Sequence, residues 1–281
     1  MTPSSREILL EIKDRGHEAV YIRASSLDIS LGKGVKVTHG DRELVLDGGF
    51  PRGIGSYVSA EVFTKRMSAL RALEYSGVVL INSSEAVENS KDKLVSLMIL
   101  MQYGVPVPDT LVTEDPHDVM KATERWGEVV IKPIMGSLGL GSTKVDNPDI
   151  AYRVAKVLVS MGLPVYVQRY IRKPDRDIRI IFVGDEILGG VYRINKASWK
   201  TNVAQGATTQ AFVLDKELTE LTFKVRDALR LDYAGLDVVE DKDGYKVLEV
   251  NASPLWKGFQ AATGIRVAKR LVDHMIAKLK K

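Results

Sequence analysis

Residues 233–258 read YAGLDVVEDKDGYKVLEVNASPLWKG, and this stretch organises the rest of the chain. Asp-Lys-Asp-Gly at 241–244 is turn chemistry between two apolar, β-branched runs, so the segment predicts a hairpin. Asp237 falls in the first strand, Glu249 and Asn251 in the second. Alternate side chains share a face of a strand, so Glu249 and Asn251 point the same way and the tight turn brings Asp237 opposite them. Two carboxylates and an amide oxygen at strand ends form a hard, anionic oxygen site suited to magnesium or manganese carrying a phosphate. The plainer alternative is a half-buried hairpin whose outward face is acidic. What surrounds the hairpin decides between them.

The chain has 281 residues, 45% of them hydrophobic, enough for two or three cored lobes. The net charge of +4 is the balance of 40 basic and 36 acidic residues, which does not argue for nucleic acid. The basic end at Lys278, Lys280 and Lys281 reads as a solvated helix terminus favoured by the helix dipole. Cysteine is absent, which excludes disulfides, thiolate metal sites and a Cys nucleophile. No run of about 18 apolar residues and no signal-peptide pattern occurs. The expectation is a soluble, cytoplasmic protein bound to neither membrane nor nucleic acid.

Ahead of the hairpin, Ser4 or Ser5 caps an opening helix to about Arg15, followed by a strand at 18–22. A hairpin spans 35–39 and 43–47. The loop from Gly48 to Gly55 offers Arg52 to an anionic substrate, or is a flexible connection. A helix at 60–75 and a strand at 77–81 complete a small α/β lobe. Asn89 or Ser90 caps a helix at 91–103. Its first turn carries Lys93, where a cation opposes the dipole unless an anion answers it; the bland reading is a surface lysine. A helix at 116–126 and a strand at 128–132 lead to Lys132. Next comes Gly136-Ser137-Leu138-Gly139-Leu140-Gly141, glycines that let backbone N–H groups turn inward around an anion. It is neither a Walker A loop nor a dinucleotide fingerprint, because a strand rather than a helix follows. What remains is a flap over phosphates.

Asn147 and Pro148 open a helix at 149–161, and a strand at 164–168 follows. In RKPDRDIRIIFV, residues 172–183, Asp177 and Arg179 share one face of a strand. The return strand ends at Tyr192-Arg193. Residues 195–209 are polar and irregular, a length that is usually functional or mobile. Helices at 216–230 and 265–280 show core spacing. His17, His39, His117 and His274 have no ligand spacing and receive no role.

A lysine-bearing helix, a strand ending in lysine, a glycine flap, an Asp-x-Arg strand, an arginine, a polar loop and then Asp…Glu-x-Asn resemble the ATP-grasp superfamily. Within it the order is similar to the RimK-like amide-forming ligases, from about Asn82 onward. IKPIMGSLGLGST, KPDRDIRIIFVG and LEVNASP carry the resemblance. It implies an α/β (α+β) fold of three lobes, at 1–90, 91–170 and 171–281. The central lobe bears the flap and the last one the metal site.

By position, the resemblance gives Lys93, Lys132, Gly136, Ser137, Gly139 and Gly141 to the nucleotide phosphates. Gln168, Arg169, Tyr170 and Ile171 become the linker whose backbone reads adenine, and Asp177 contacts the nucleotide. Arg193, Lys200 and Asn202 surround the reacting centre, while Asp237, Glu249 and Asn251 hold one or two Mg2+ or Mn2+ ions. Three departures stand out. Arg169 replaces an acidic residue, Lys200 replaces a common arginine that would grip two oxygens, and the chain opens on a helix where relatives begin with a strand.

The implied activity is ATP-dependent addition of L-glutamate to a carboxylate-bearing acceptor through an acyl phosphate, by a homo-oligomer. The turn Asn251-Ala252-Ser253-Pro254 with Trp256-Lys257-Gly258 looks most like the archaeal ligases that tail pterin or deazaflavin coenzymes. A protein C-terminus or an amino-group carrier protein is the alternative acceptor. A non-catalytic ATP-binding regulator is the rival of another class, disfavoured by the complete metal set. Arg52 and Arg66 are the candidate acceptor contacts from the first lobe.

Overall fold

The computed structural model describes residues 1–55, 59–134, 141–202 and 206–280. Gly136, Ser137 and Gly139 of the expected flap therefore lie outside the described residues, and only Gly141 falls within them. The chain is a mixed α and β protein, as the sequence predicts.

Helix α1 (Pro3–Asp14) is capped by Thr2, whose Oγ1 accepts from the Ser5 amide at 3.2 Å. The cap thus lies before Ser4 and Ser5, and Pro3 takes the first helical position, where its missing N–H costs nothing. The expected strand at 18–22 does not form. Val20 is 61% exposed and Tyr21 44%, and only Ile22 of this run packs against the neighbouring core, so the run pairs with no strand. Strands β1 (Asp28–Leu31), β2 (Val35–His39) and β3 (Arg42–Glu43) make an antiparallel sheet that turns at Gly40, as expected, but β3 ends earlier than residue 47. Strand β4 (Gly48–Gly49), read as loop in the sequence, pairs in parallel with β5 (Val79–Leu80), across helix α2 (Ala60–Tyr75). A Cβ at Gly48 would come within 2.7 Å of Met275 Sδ and 3.2 Å of the Val79 carbonyl, so a larger residue there requires the Met275 side chain to move.

Where one helix was expected at 91–103, two occur: α3 (Ser84–Lys91) and α4 (Lys93–Gln102). Asn89 and Ser90 sit inside the last turn of α3. The break is made by Asp92, whose Oδ1 accepts the amides of Leu94 at 2.9 Å and Val95 at 3.1 Å. Strands β6 (Thr110–Thr113), β7 (Val129–Lys132), β8 (Thr143–Val145) and β9 (Val165–Arg169) form an antiparallel sheet in the order β6-β9-β7-β8. Helices α5 (Pro116–Trp126) and α6 (Pro148–Ser160) cover it through a core of Val119, Val129, Ile131, Ala151, Ala155 and Val167.

The largest sheet runs β12-β11-β10-β13-β14, from β10 (Arg176–Val183), β11 (Glu186–Ile194), β12 (Thr208–Phe212), β13 (Tyr233–Asp241) and β14 (Gly244–Asn251). Its helices are α7 (Lys216–Ala228), α8 (Lys257–Thr263) and α9 (Val267–Leu279). Both β12 and α8 escape the sequence reading, being short and lying in polar stretches. Alternation along the strands gives the two faces opposite fates. Ile178, Ile180, Phe182, Leu236 and Val238 join Leu100, Leu218 and Val225 in one core. On the other face, Ile181, Val183, Val191 and Tyr233 pack with Leu271 and Val272 of α9, whereas Asp177, Arg179, Arg193, Asp237 and Glu249 continue the same rows as charges. The candidate site occupies that half of the sheet.

Candidate active site

Strand register assembles the site. Asp177 pairs with Arg193 across β10–β11, Arg179 with Asp237 across β10–β13, and Asp237 with Glu249 across β13–β14. The hairpin predicted from 233–258 is therefore present, with Asp237 directly opposite Glu249 and with Asn251 opposite Gly235.

A charge lattice spans these strands. Arg193 is buried and grips both oxygens of Asp177 at 2.7 Å, while its Nη2 lies 3.0 Å from Asp237 Oδ2. Arg179 Nε donates to the other Asp237 oxygen at 2.5 Å. Thr201 adds its hydroxyl to Asp177. Burial opposes ionisation of Asp237, but Arg179 and Arg193 outweigh it and hold the carboxyl below the usual range. Desolvation likewise opposes charge on Arg193, and Asp237 with Asp177 raises it nonetheless. Arg179 reaches Asp237 across Gly235, where a Cβ would stand 3.0 Å from its Nη1 and 2.8 Å from Pro254 Cβ. Sequence alternation places Arg179 on the face of Asp177 without a partner, and the pairing of β10 with β13 supplies Asp237.

Facing the lattice across the cleft are the lysines. Lys132 Nζ, at the end of β7, donates to Gln168 Oε1 at 2.7 Å. Gln168 is buried, and its Nε2 is shared between Thr110 Oγ1 and Tyr166 Oη, both at 3.2 Å. This side chain, not only the backbone of residue 168, thus belongs to the site. Burial pushes the Lys132 ammonium down to about 8, assisted by Lys93 and opposed by Glu249 and Asp237. Lys93 donates to the Ile134 carbonyl at 3.2 Å and lies 3.9 Å from Glu249 Oε1.

Lys93, Lys132, Asp177, Arg193, Asp237 and Glu249 line one open cleft. Gln168 to Ile171, Lys200 and Asn202 line it as well, and Val130, Val239, Leu248 and Trp199 supply apolar wall. In the linker, the Arg169 and Tyr170 amides donate to the carbonyls of Asp109 and Glu128, each at 2.9 Å, and the Arg169 guanidinium pairs with Asp109 at 3.2 Å. The Tyr170 ring lies edge-on to Trp199, with centroids 6.2 Å apart.

Asn251, Arg52 and Arg66 stand outside that lining. Asn251 Oδ1 accepts the Ser253 amide at 2.9 Å; because the partner is a donor, the oxygen is identified and its second lone pair stays available. Asp237, Glu249 and Asn251 are hard oxygen donors on paired strands, which fits Mg2+ or Mn2+. Among the described residues, no group of three or more His, Cys, Asp or Glu could hold a metal, so the candidate set is two carboxylates and an amide. Arg66 Nη1 donates to the Ile54 carbonyl at 2.6 Å. Arg52 turns its guanidinium onto Tyr233, Ser253 and Pro254.

Comparison with known proteins gives this geometry a family. The RimK-like ATP-grasp domain profile matches residues 90–275, which contain the whole cleft. The chain belongs to the RimK-like ATP-grasp family. Like other RimK-like ligases, it is an enzyme of the amide-bond-forming class. It is 29% identical to the tetrahydromethanopterin:alpha-L-glutamate ligase of Methanococcus maripaludis, over 96% of this chain and 93% of that one. It is 34% identical to the alpha-aminoadipate–LysW ligase LysX of Saccharolobus solfataricus, over 74% of this chain and 78% of that one. Among solved structures, the RimK domain ATP-grasp protein of Sphaerobacter thermophilus superposes with a TM-score of 0.74 at 22% identity, covering 98% of this chain and 96% of its own. The ligase PsnB, solved with a minimal precursor, Mg and ADP, gives the same TM-score and identity over 100% of this chain and 96% of its own. At these identities the structural likeness speaks to the RimK-like fold alone.

Proposed function

We propose that the protein uses ATP to join L-glutamate to a carboxylate-bearing acceptor, a pterin or deazaflavin coenzyme, through an acyl phosphate. The observation that carries this reading is one cleft in which Lys93, Lys132 and Arg193 converge on Asp237 and Glu249. Carboxylate oxygen is a poor leaving group, so the acceptor must first be activated. Its oxygen attacks the γ-phosphorus of ATP and ADP departs. The glutamate amine, after losing a proton, then opens the acyl phosphate to an amide and releases phosphate.

Such transfer needs in-line positioning and cancellation of charge more than covalent help. Lys132, held by Gln168, and Lys93, held at the Ile134 carbonyl, would bind the phosphate oxygens. Arg193, fixed by Asp177, would face the transferring group, with Lys200 and Asn202 around the reacting centre. Asp237, Glu249 and Asn251 would hold Mg2+ or Mn2+, which supplies further charge cancellation on the phosphates. Because the Arg169 and Tyr170 amides serve the protein, adenine would be read by the linker carbonyls and the Ile171 amide. Residues 136–141 would close over the phosphates and exclude water, which otherwise hydrolyses the acyl phosphate.

Three lobes, 1–90, 91–170 and 171–281, a homo-oligomeric assembly and a cytoplasmic location complete the proposal. Among the described residues, no helix is long and apolar enough to cross a membrane. A second acceptor class has support of its own, because one relative at 34% identity is named as a LysW ligase. The deciding experiment incubates the protein with ATP, Mg2+, glutamate and a panel of pterin, deazaflavin and carrier-protein acceptors, following ADP and product mass together. A product heavier by one glutamyl residue with matched ADP is expected from a coenzyme acceptor. The same gain on the carrier protein alone would move the assignment there, and absence of ATP binding would overturn the reading.

A further inference from the structure

Arg52 lies about two hundred residues from the metal hairpin in sequence, yet it contacts both ends of it. Its Nη1 donates to Tyr233 Oη at 3.1 Å, on the strand that carries Asp237. Its Nη2 donates to the Pro254 carbonyl at 2.8 Å and reaches the Ser253 carbonyl at 3.5 Å. The guanidinium lies 4.7 Å from the ring centroid of Trp256, which is fully buried and anchored by its own N–H to Glu7 at 2.8 Å. The tie is reciprocal, since Ser253 Oγ donates back to the Pro51 carbonyl at 3.0 Å. Two of the backbone groups so held belong to the residue whose amide fixes Asn251 Oδ1 and to the one after it. Pro254 also bounds the space over Gly235 through which Arg179 reaches Asp237.

We propose that Arg52 is a positioning residue for the metal site, acting through the turn 251–254 on Asn251 and, through Pro254, on the Arg179–Asp237 pair. This rests on the ligase reading above, in which these side chains hold the metal, and it replaces an acceptor contact as the work of Arg52. A planar fork can bridge a hydroxyl and two carbonyls while stacking on an indole, and an ammonium cannot. Arg52 therefore sets how well the site binds metal-loaded nucleotide, while the nucleotide's contacts with Lys93, Lys132 and the linker do not depend on it.

The test measures ADP binding by calorimetry with Mn2+ and with chelator, for wild type, R52Q, R52K and Y233F, beside their melting temperatures. Removing an outer partner of metal ligands typically costs 10–100-fold in metal affinity. R52Q and R52K are expected to weaken Mn2+-dependent ADP binding by about tenfold or more, leaving binding in chelator within about twofold. Y233F removes one hydroxyl without loss of charge and shifts the same quantity in the same direction, which keeps the test available should the arginine variants fold poorly. Equal losses with and without Mn2+ would show a merely structural role and overturn the proposal. Unchanged Mn2+-dependent binding with a raised acceptor KM would also overturn it, restoring the acceptor contact. If wild type itself gains nothing from Mn2+, the ligase reading fails and the proposal falls with it; a normal wild-type response with unaltered variants removes the proposal alone.

Discussion

Lys132 concentrates the electrostatics of the cleft in one ammonium. Burial lowers its pKa from 10.5 to about 8, so part of its charge is lost at mildly alkaline pH. Phosphate oxygens favour the charged form, and ATP affinity should therefore fall as pH rises through about 8, with proton uptake on binding. Calorimetry at pH 8.5 in two buffers of different ionisation enthalpy measures that uptake directly; no difference between buffers would contradict it. Stability of the free protein moves the other way. Between about 8 and 10.5 the unfolded chain binds more protons at this residue than the folded one, so its contribution to folding rises with pH. Glu249, 36% exposed, gives a complementary prediction. Glu249→Gln should abolish ADP release and amide formation while the melting temperature stays near wild type. Sustained turnover in that variant would place the metal elsewhere. Lys132 and Glu249 were both readable from sequence, because strand ends and alternation announce them. Gln168 as the holder of Lys132 was not, since β7 and β9 meet only after the sheet forms.

At the scale of elements, the helix carrying Lys93 shows how a local cap serves a site. Asp92 ends α3, starts α4 and takes the first free amides of the new helix. That places Lys93 in the opening turn, where the dipole disfavours a cation, and Glu249 of the facing sheet answers it at 3.9 Å. Asp92→Ala should cost about 1 kcal/mol of stability and raise the KM for ATP, as read by urea denaturation and steady-state kinetics. A stability loss with unaltered KM would separate the cap from the position of Lys93. The sequence predicts a helix here with the wrong cap, since Asn89, Ser90 and Asp92 are all competent caps and only packing of α3 on its neighbours selects one. The short elements β12 and α8 have too few residues to show a period. The apolar run at 18–22 shows the converse, a strand-like pattern to which the fold supplies no partner.

For the molecule as a whole, Asn82 joins distant parts of the chain. Fully buried at the end of β5, it donates to the Tyr233 and Ala252 carbonyls at 2.8 and 2.9 Å. It also accepts the amides of Asp232 and Tyr233 at 2.7 and 3.0 Å. Its hydrogen-bonding capacity is thus filled by backbone on either side of the β13–β14 hairpin. Asn82→Ala would strand several buried backbone groups at about 1–3 kcal/mol each, so a stability loss of at least about 3 kcal/mol is expected by chemical denaturation. A loss below about 1 kcal/mol would show that water replaces the amide. With Arg52 reaching the same segment from the preceding loop, the N-terminal elements hold both ends of the β13–β14 hairpin.

Sequence alone determined the local chemistry of this protein: the hairpin with Asp237, Glu249 and Asn251 on one side, the lysines at an N-terminal turn and a strand end, and the family to which their order points. Periodicity, turn residues and caps act over a few residues, so a linear reading can reach them. Tertiary structure alone decided which charges neutralise one another and which groups the distant arginines contact. Arg179 meets Asp237, Gln168 meets Lys132, and Arg52 meets the turn after Asn251 because strand register and the packing of distant elements place them there. Those contacts depend on hydrogen bonds and close approach between segments as many as two hundred residues apart, and such proximity is a property of the folded chain.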